Sequence, residues 1–430
     1  MVAQGDTIHL VFAGGGFWLP YRRSVDGGLT WQSVRDLLVD TTEFPFPVGS
    51  SFIISDDGKL SVFFVGGIDG SGDSPIFMLA SDDRGDTWSE PQAITTQNGY
   101  IQNVAVLGDT IAIVGYLAPI DYDWIISSTD GGITWTQAEF PFYTNDPRVS
   151  LSNGWLHLAY SYFIQGCSFE QLYRRSSDLG VTWSDSIMLS TCDNRGGGIP
   201  SIAASAEENV YITWTDTKYG CTGFVGCSVL FRCSTDNGTT WFDEQTLTET
   251  PWGDVSKLTN SGVYLLATWA GGGGVESRLS IDKGVSWSSL CIVADTGGNP
   301  SNALSASVAF VGWGKRVNDI GGVFMRAGTL PLVNVGGSRS TYPDMFKVYE
   351  PFPNPFNGST TIKYRLARNA RVRVEVYNIL GQLQSLADVG ERSPGEYSTR
   401  WEATEFPTGV YMYRITAGTE VHLGKFLLLR

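Results

Sequence analysis

Residues 128–135 read STDGGITW, and the chain contains six copies of this pattern, Ser-x-Asp-x-Gly-x-Thr/Ser-Trp. The copies, called boxes below, occupy residues 24–31, 81–88, 128–135, 176–183, 234–241 and 280–287. Their aspartates follow one another at intervals of 57, 47, 48, 58 and 46 residues. A period of about fifty residues is typical of one four-stranded blade of a β-propeller. The boxes therefore predict a ring of repeated β-sheets.

Each box has the composition of a tight turn that ends in an anchor. Its aspartate can accept hydrogen bonds from backbone N–H groups one or two residues further on, and its glycine tolerates the positive φ that such a turn needs. The tryptophan is expected to pack on the sheet and to donate its indole N–H to a carbonyl. A residue that recurs once per repeat favours a structural role over catalysis or metal binding. This role is predicted for Asp26, Asp83, Asp130, Asp178, Asp236 and Asp282.

The segments between the boxes predict short strands, such as TIAIVGY from Thr110 and VYITWTD from Val210, and no capped helix. The boxes resemble the Asp-box (BNR) repeats of the sialidase-like β-propeller superfamily. The resemblance covers residues 1–335 and implies an all-β propeller. Sialidases suggest six blades, but seven comparable strands between Ile8 and Lys315 favour seven. The first unit shows no clear innermost strand, so we expect an incomplete or processed chain.

A second domain is predicted after a linker rich in glycine and serine at residues 336–345. In residues 346–430, short alternating strands such as RVRVEVY from Arg371 predict a small Ig-like β-sandwich. Val372, Val374 and Val376 would face the core of this sandwich, and Arg371, Arg373 and Glu375 would face outward.

The same segment resembles the type A C-terminal sorting domain of the type IX secretion system. The matching motifs are PNPFN from Pro353, VEVYNILGQ from Val374, Trp401 and PTGVYMY from Pro407, with a basic end at Arg430. The resemblance implies export through the type IX machinery, removal of the tail, and release or attachment to surface lipopolysaccharide. The alternative is an ordinary accessory module that only packs or spaces.

The charge distribution argues against a nucleic-acid partner. The net charge is −15, and residues 343–430 carry eleven Lys/Arg against nine Asp/Glu, so the preceding 342 residues have a net charge of −17. Such an acidic domain repels polyanions over about a Debye length. The chain contains no run of eighteen apolar residues, so no membrane span is expected.

The six cysteines predict disulfides rather than a metal site. They show no C-x-x-C spacing, and the three histidines lie in apolar contexts, so neither a metal nor another cofactor is expected. An even number of cysteines in an exported protein favours disulfides. The expected pairs are Cys221–Cys227, Cys167–Cys192 and Cys233–Cys291.

The family resemblance implies a ligand site on the face opposite the boxes, where the loops between blades converge. A sialidase there would need three arginines, a tyrosine paired with a glutamate, and an acid/base aspartate. The first-blade motif Phe/Tyr-Arg-Ile-Pro is absent. Four arginines recur two residues before a box and are interpreted as structural: Arg22, Arg174, Arg232 and Arg278. The remaining catalytic candidates, at connections between blades, are Asp146, Arg148, Arg195 and Asp254, with Asp193 and Asp295 in comparable positions.

Aromatic residues in loops and at strand ends can stack on sugar rings. The ligand-binding candidates are Trp18, Tyr122, Arg148, Arg195, Trp214, Tyr219 and Trp252. The alternative for Trp214, as for Trp269 and Trp313, is packing between blades. The favoured function is a secreted, surface-displayed propeller that binds a glycan or protein. The alternatives are a diverged sialidase-type glycoside hydrolase and a structural or adhesive component of the cell envelope.

Overall fold

The structure is a computed structural model, and it describes residues 1–11, 18–38, 47–54, 58–67, 74–96, 98–117, 123–218, 227–248, 253–272, 274–305, 308–317, 320–330, 346–349, 351–366, 369–378, 383–417 and 420–429. These residues form strands and no helix, and neighbouring strands pair antiparallel. The fold is all-β, a β-propeller followed by a β-sandwich. The chain divides into two compact units, Met1–Pro331 and Leu332–Arg430. In the described part of the chain, no helix has the length and hydropathy of a membrane span.

The first unit contains sheets of consecutive strands, numbered here along the chain. Sheet 1 contains β1 (Val2–Gln4), β2 (Thr7–Val11), β3 (Pro20–Ser24) and β4 (Arg35–Asp36). Sheet 2 contains β5 (Pro47–Ile54), β6 (Leu60–Gly66), β7 (Ile76–Ser81) and β8 (Gln92–Ala93). Sheet 3 contains β9 (Gly99–Leu107), β10 (Thr110–Leu117), β11 (Asp123–Ser128) and β12 (Thr136–Glu139). Sheet 4 contains β13 (Asn145–Ser152), β14 (Trp155–Ile164), β15 (Ser168–Ser176) and β16 (Ile187–Met188).

The remaining sheets of this unit follow the same strand order. Sheet 5 contains β17 (Ser201–Ala204), β18 (Val210–Asp216), β19 (Ser228–Ser234) and β20 (Gln245–Thr246). Sheet 6 contains β21 (Gly253–Ser261), β22 (Tyr264–Gly271), β23 (Gly274–Ser280) and β24 (Cys291–Ala294). Sheet 7 contains β25 (Gly298–Leu304), β26 (Val308–Val317) and β27 (Ile320–Thr329).

The sheets form a ring around their first strands. The first strand of each sheet contacts the first strand of the next, and β25 contacts β1. Sheet 1 has an innermost strand, β1, so the expectation that the first unit lacks one was wrong. Buried apolar side chains fill every boundary between neighbouring sheets, including the boundary of sheets 7 and 1, where Ile8, Ala303 and Phe310 are buried. The ring is therefore stabilised mainly by packing between sheets.

Each box is a hydrogen-bonded turn between the last two strands of its sheet. In the box at residues 128–135, Ser128 Oγ donates to Asp130 Oδ1 at 2.8 Å and accepts from Gly132 N at 2.9 Å. Thr134 donates to Asp130 from its backbone N at 2.9 Å and from Oγ1 at 2.5 Å. The other five boxes make the same bonds. The main donor thus lies four residues beyond the aspartate, so the expected one-or-two-residue spacing was wrong.

The glycine of each box lies where the preceding sheet packs closely against the turn. Gly132 has a φ of 90°, and a Cβ on it would lie 2.8 Å from Sδ of Met78 in sheet 2. Gly238 has a φ of 78°, and a Cβ there would lie 2.1 Å from the hydroxyl of Tyr173 in sheet 4. Glycine is therefore required both by the turn and by the close approach of the preceding sheet.

The disulfide predictions have three different outcomes. Cys167 and Cys192 form a disulfide with Cα atoms 4.6 Å apart, which confirms that pair. The Cys233–Cys291 pair was wrong, because Cys233 is buried in the core between sheets 5 and 6 while Cys291 is a free, exposed thiol in β24. For the third pair, Cys221 lies outside the described residues, and Cys227 is buried.

The second unit is a sandwich of two antiparallel sheets. Its strands are β28 (Phe346–Val348), β29 (Ser359–Leu366), β30 (Ala370–Tyr377), β31 (Leu383–Arg392), β32 (Gly395–Glu402), β33 (Gly409–Ala417) and β34 (Glu420–Leu428). One sheet has the order β28-β29-β32 and the other β31-β30-β33-β34. Val372, Val374 and Val376 are buried in its core beside Trp401, as the alternation predicts. Glu375 differs from the prediction, because it is buried between Arg373 and Arg414 at 2.8 and 2.6 Å.

Candidate functional site

The loop face, defined as the sheet ends opposite the boxes, contains the candidate site. A box and the turn between the first two strands of its sheet lie at one end, since Gly131 N donates to Asp109 O at 2.9 Å. The hairpins between the second and third strands, and the connections between sheets, therefore lie at the other end. Asp123, the first residue of β11, marks this end in sheet 3, because β11 runs from it to the box.

A cleft of about 490 Å³ opens on the loop face between sheets 3 and 4. It is lined by the ends of β9, β10 and β11, by the connection between the two sheets, and by the start of β13. The lining residues are Tyr100, Gln102, Tyr116, Asp123, Phe142, Tyr143, Thr144, Asn145 and Asp146. Its size suits a small polar ligand or one segment of a longer chain.

Two tyrosine rings of the cleft reach solvent. Tyr143 is 62% exposed and Tyr100 is 54% exposed. Phe142, next to Tyr143, is fixed by stacking on Tyr160 at 5.6 Å between ring centroids and by the guanidinium of Arg174 at 4.3 Å from its own ring. The backbone at Phe142 therefore holds the neighbouring Tyr143 ring at the cleft, where a flat ligand face can stack on it.

Two carboxylates share the cleft and differ in environment. Asp123 is half-buried, and Thr144 Oγ1 donates a hydrogen bond to its Oδ2. Burial raises the pKa of Asp123, and the nearby charge of Asp146 adds to this effect. Asp146 is more exposed, has a φ of 51°, and lies in a β-bulge between Asn145 and Arg148. A left-handed aspartate in a bulge aims its side chain away from the regular ladder, here into the cleft.

Gln102 lines the cleft, and its side-chain oxygen is an unsatisfied acceptor. Its Oε1 is buried and makes no hydrogen bond to any residue that the structure describes. An amide oxygen left in this state costs about 1 to 3 kcal/mol.

Arg148 lies beside the cleft rather than in its lining. Its side chain is 12% exposed, Nη2 lies 4.0 Å from Asp146 Oδ1, and Nη1 donates to Pro147 O at 3.0 Å. Lys257 follows a bulge at the corresponding position of sheet 6. Burial, followed by the charge of Arg148, lowers the pKa of Lys257 to about 8. The two cations therefore interact unfavourably, and Asp146 partly compensates the charge of Arg148.

Arg195 and the buried Trp214 do not line the cleft. Arg195 is exposed in the connection between sheets 4 and 5, and Nη1 donates to Lys218 O at 2.7 Å. Trp214 has an exposed fraction of 0%, and Nε1 donates to Asp216 Oδ2 at 3.3 Å. This burial leaves no ring surface for a ligand, so Trp214 is corrected from a ligand-binding candidate to a packing residue.

The other predicted residues lie elsewhere. Trp18 is partly exposed just before β3. Asp254 lies near the start of β21, but its side chain is outside the described part of the structure. Tyr122, Tyr219 and Trp252 are also outside it.

Sequence analysis missed most of the cleft lining. Of its nine residues only two had been singled out, Asp146 as a catalytic candidate and Tyr143, together with Glu43, as a conceivable part of a nucleophile. The available signal was FPFYTND, residues 140–146, a connection dense in aromatic and polar side chains between a box and the next strand. Gln102 and Asp123 carried no such signal, since each lies in an ordinary strand pattern.

A second acidic group lies near the same face but is closed to ligands. Glu170 and Asp216 are both buried, and Ser190 Oγ donates to Glu170 Oε2. Burial raises the pKa of Glu170, and it raises that of Asp216 to about 6. Among the residues that the structure describes, no cluster of three histidine, cysteine or acidic side chains is arranged to hold a metal ion.

Comparison with protein families gives a match in the second unit. Residues 350–428 match the family model described as the secretion system C-terminal sorting domain. This match agrees with the sequence prediction, and it indicates secretion to the cell surface or the extracellular space. None of the curated proteins compared with this chain matches it.

Solved structures with a similar fold match about two thirds of the chain. A protein of unknown function from Dyadobacter fermentans is 16% identical with a TM-score of 0.48, over 67% of this chain and 94% of that one. A Hadza microbial sialidase is 18% identical with a TM-score of 0.47, over 63% and 62%. An alpha-L-arabinofuranosidase from Fusarium graminearum is 16% identical with a TM-score of 0.47, over 66% and 93%.

Proposed function

We propose that this secreted propeller binds a neutral oligosaccharide in the cleft between sheets 3 and 4. The observation that carries the proposal is the combination of two exposed tyrosine rings, Tyr100 and Tyr143, with amide and hydroxyl groups in one cleft. Sugar rings have an apolar face that stacks on aromatic rings and hydroxyls that exchange hydrogen bonds with amides. Gln102, Asn145 and Thr144 supply those polar groups.

Charge favours a neutral ligand over an acidic one. Among the described residues, the lining includes the carboxyl groups of Asp123 and Asp146 and no cationic side chain. The residues before position 343 carry a net charge of −17, so an acidic sugar would be repelled on approach. The charge of Arg148 is partly compensated by Asp146, and Arg195 bonds to a backbone carbonyl outside the cleft lining.

Binding can be tested with a panel of neutral oligosaccharides and isothermal titration of those that bind. Tyr143→Ala should weaken the affinity by about tenfold, the loss of one stacked ring, or about 1.4 kcal/mol. Ile133→Ala is the matched control, because Ile133 is 75% exposed on a box at the opposite face. Unchanged affinity in a Tyr100→Ala/Tyr143→Ala variant would contradict the proposed site.

A second candidate function is hydrolysis of the bound glycan. The raised pKa of Asp123 beside the more exposed Asp146 favours it, because glycoside hydrolases use one protonated and one ionised carboxyl. Asp123 would protonate the glycosidic oxygen, and Asp146 would act as the base or nucleophile. Release of reducing ends from a bound oligosaccharide should then be lost in Asp123→Asn while binding persists. If no bound oligosaccharide is cleaved by the wild-type protein, this second function is excluded for those ligands.

A further inference from the structure

The hairpin of sheet 4 carries exposed aromatic rings beyond the edge of the cleft. The hairpin tip is defined here as residues 162–169, which comprise the end of β14, the turn and the start of β15. Phe163 is 55% exposed, and Tyr162 and Phe169 are also exposed. Phe163 and Phe169 stand opposite each other in the strand pair, with ring centroids 5.4 Å apart at 65°. Exposed apolar rings grouped in this way favour a binding surface.

The hairpin tip is held in place by several bonds. The disulfide of Cys167 ties it to Cys192 in the connection between sheets 4 and 5. Phe169 O accepts from Gly197 N at 2.7 Å in the same connection, and Cys167 N donates to Ile164 O at 2.9 Å within the tip. These bonds oppose collapse of the rings onto the protein surface. The tip is therefore preorganised, which lowers the entropy cost of binding.

The hairpin tip continues the wall of the cleft. Asn145, a lining residue, pairs directly with Ser161, one residue before the tip. Side chains alternate along a strand, so Tyr162 projects on the same side of β14 as Tyr160. Tyr160 stacks on the cleft residue Phe142. By the same alternation, the Phe163–Phe169 pair projects on the opposite side of the hairpin, so a ligand leaving the cleft along sheet 4 would meet Tyr162 first and reach the pair only by passing over the tip.

We infer that the hairpin tip is a distal subsite that selects long neutral glycan chains over short ones. This inference rests on the proposed function and assigns its ligand class. Residues 162–169 include no charged side chain, and Gln165 and Ser168 add only neutral polar groups. A stable protein interface uses about 20 to 30 residues per partner, so a tip of eight residues is too small to form one by itself. The tip therefore fits successive sugar units better than a folded protein.

The length of the glycan is the variable that tests this inference. Isothermal titration would compare a disaccharide and a hexasaccharide of a neutral glycan that the wild-type protein binds. The wild type should bind the hexasaccharide at least tenfold more tightly. A Tyr162→Ala/Phe163→Ala variant should lose most of this gain and keep its disaccharide affinity. Tyr162→Phe should keep the gain, and Ile133→Ala serves again as the surface control.

Removing the disulfide that holds the hairpin tip gives a second test of the inference. A Cys167→Ser/Cys192→Ser variant should also lose part of the gain in hexasaccharide affinity, with thermal unfolding measured to show that it remains folded. An equal affinity of wild type for both chain lengths, or a full gain in the Tyr162→Ala/Phe163→Ala variant, would overturn the inference alone. Failure of the wild type to bind any neutral glycan would overturn it together with the proposed function.

Discussion

At the residue scale, one carboxylate organises each box. The carboxylate of Asp130 accepts hydrogen bonds from Ser128 and from both the backbone and the side chain of Thr134. The Thr134 side chain, followed by its backbone N–H, lowers the pKa of Asp130 to about 2. The carboxylate is therefore occupied within its own turn, and the ionised form is the one that the folded protein stabilises.

Removal of one box carboxylate should destabilise the propeller without touching the loop face. Asp236→Ala takes away the acceptor of Thr239 N, Thr240 N and Thr240 Oγ1. We expect the free energy of unfolding to fall by about 1 to 3 kcal/mol in urea denaturation. Asp243→Ala is the control, because Asp243 is exposed and makes no side-chain hydrogen bond to another described residue. A variant of wild-type stability that lost glycan binding would instead make the box functional.

Asp216 should make the folded protein less stable as the pH rises, which is the opposite of the effect of a box aspartate such as Asp130. Burial raises the pKa of Asp216 in the folded protein to about 6, from 3.8 for an ordinary aspartate in water. The folded state thus binds the proton more tightly than the unfolded state. This contribution to stability is fully present below about pH 4 and is lost as the pH rises through 6.

The pH dependence can be isolated with Asp216→Asn. Between pH 4 and pH 6, wild-type stability should fall relative to that of Asp216→Asn by an amount on the order of 2 kcal/mol. Denaturation curves at intervals of half a pH unit would measure the difference. Parallel pH profiles for the two proteins would show that Asp216 titrates near its ordinary pKa.

At the element scale, the disulfide-tethered hairpin should contribute measurably to stability. Cys167 and Cys192 are 25 residues apart, and a cross-link over such a loop stabilises a folded protein by about 3 kcal/mol. The Cys167→Ser/Cys192→Ser variant should unfold at a correspondingly lower denaturant concentration, and reductant should shift the wild type in the same direction. Cys291→Ser is the control, since this free thiol is exposed. An equal shift in both variants would assign the effect to loss of a thiol rather than of the cross-link.

Individual strands were predictable because their signals are local. The alternation around Val374 fixes which side chains face the sandwich core, and the box serine, aspartate and glycine determine their turn within eight residues. The position of Glu375 was missed, because its burial depends on Arg414 from a strand 39 residues away. The Cys233–Cys291 error has the same origin, since their distance depends on how two neighbouring sheets pack.

At the scale of the whole molecule, the two units should be separable. Each has its own buried core, so deletion of residues 332–430 should leave the remaining propeller with a cooperative unfolding transition and its glycan affinity. In the native host the truncated protein should accumulate in the periplasm, because the sorting domain is missing. Cell fractionation beside the full-length protein measures this. Equal export of both forms would contradict the sorting role.

The all-β fold and the sorting domain were predictable from repeated motifs, whereas the cleft was not. Six boxes at a regular period define the repeat, but the cleft combines residues from two sheets and the connection between them. Gln102 and Asp123 line it because of where β9 and β11 meet the neighbouring sheet. Such contacts depend on the packing of whole sheets, which no local pattern specifies.

The boundary between sheets 7 and 1 closes the ring, and local unfolding of the propeller should begin there. Among the described residues, this boundary buries the side chains of Ile8, Ala303 and Phe310, whereas eleven are buried between sheets 3 and 4. Local opening follows the least apolar burial, so amide hydrogens of β1 and β25 should exchange faster than those of β10 and β14. Hydrogen-exchange mass spectrometry would detect this order. The ring would then open locally at the boundary between sheets 7 and 1, while the boundary between sheets 3 and 4, which contains the cleft, keeps its structure.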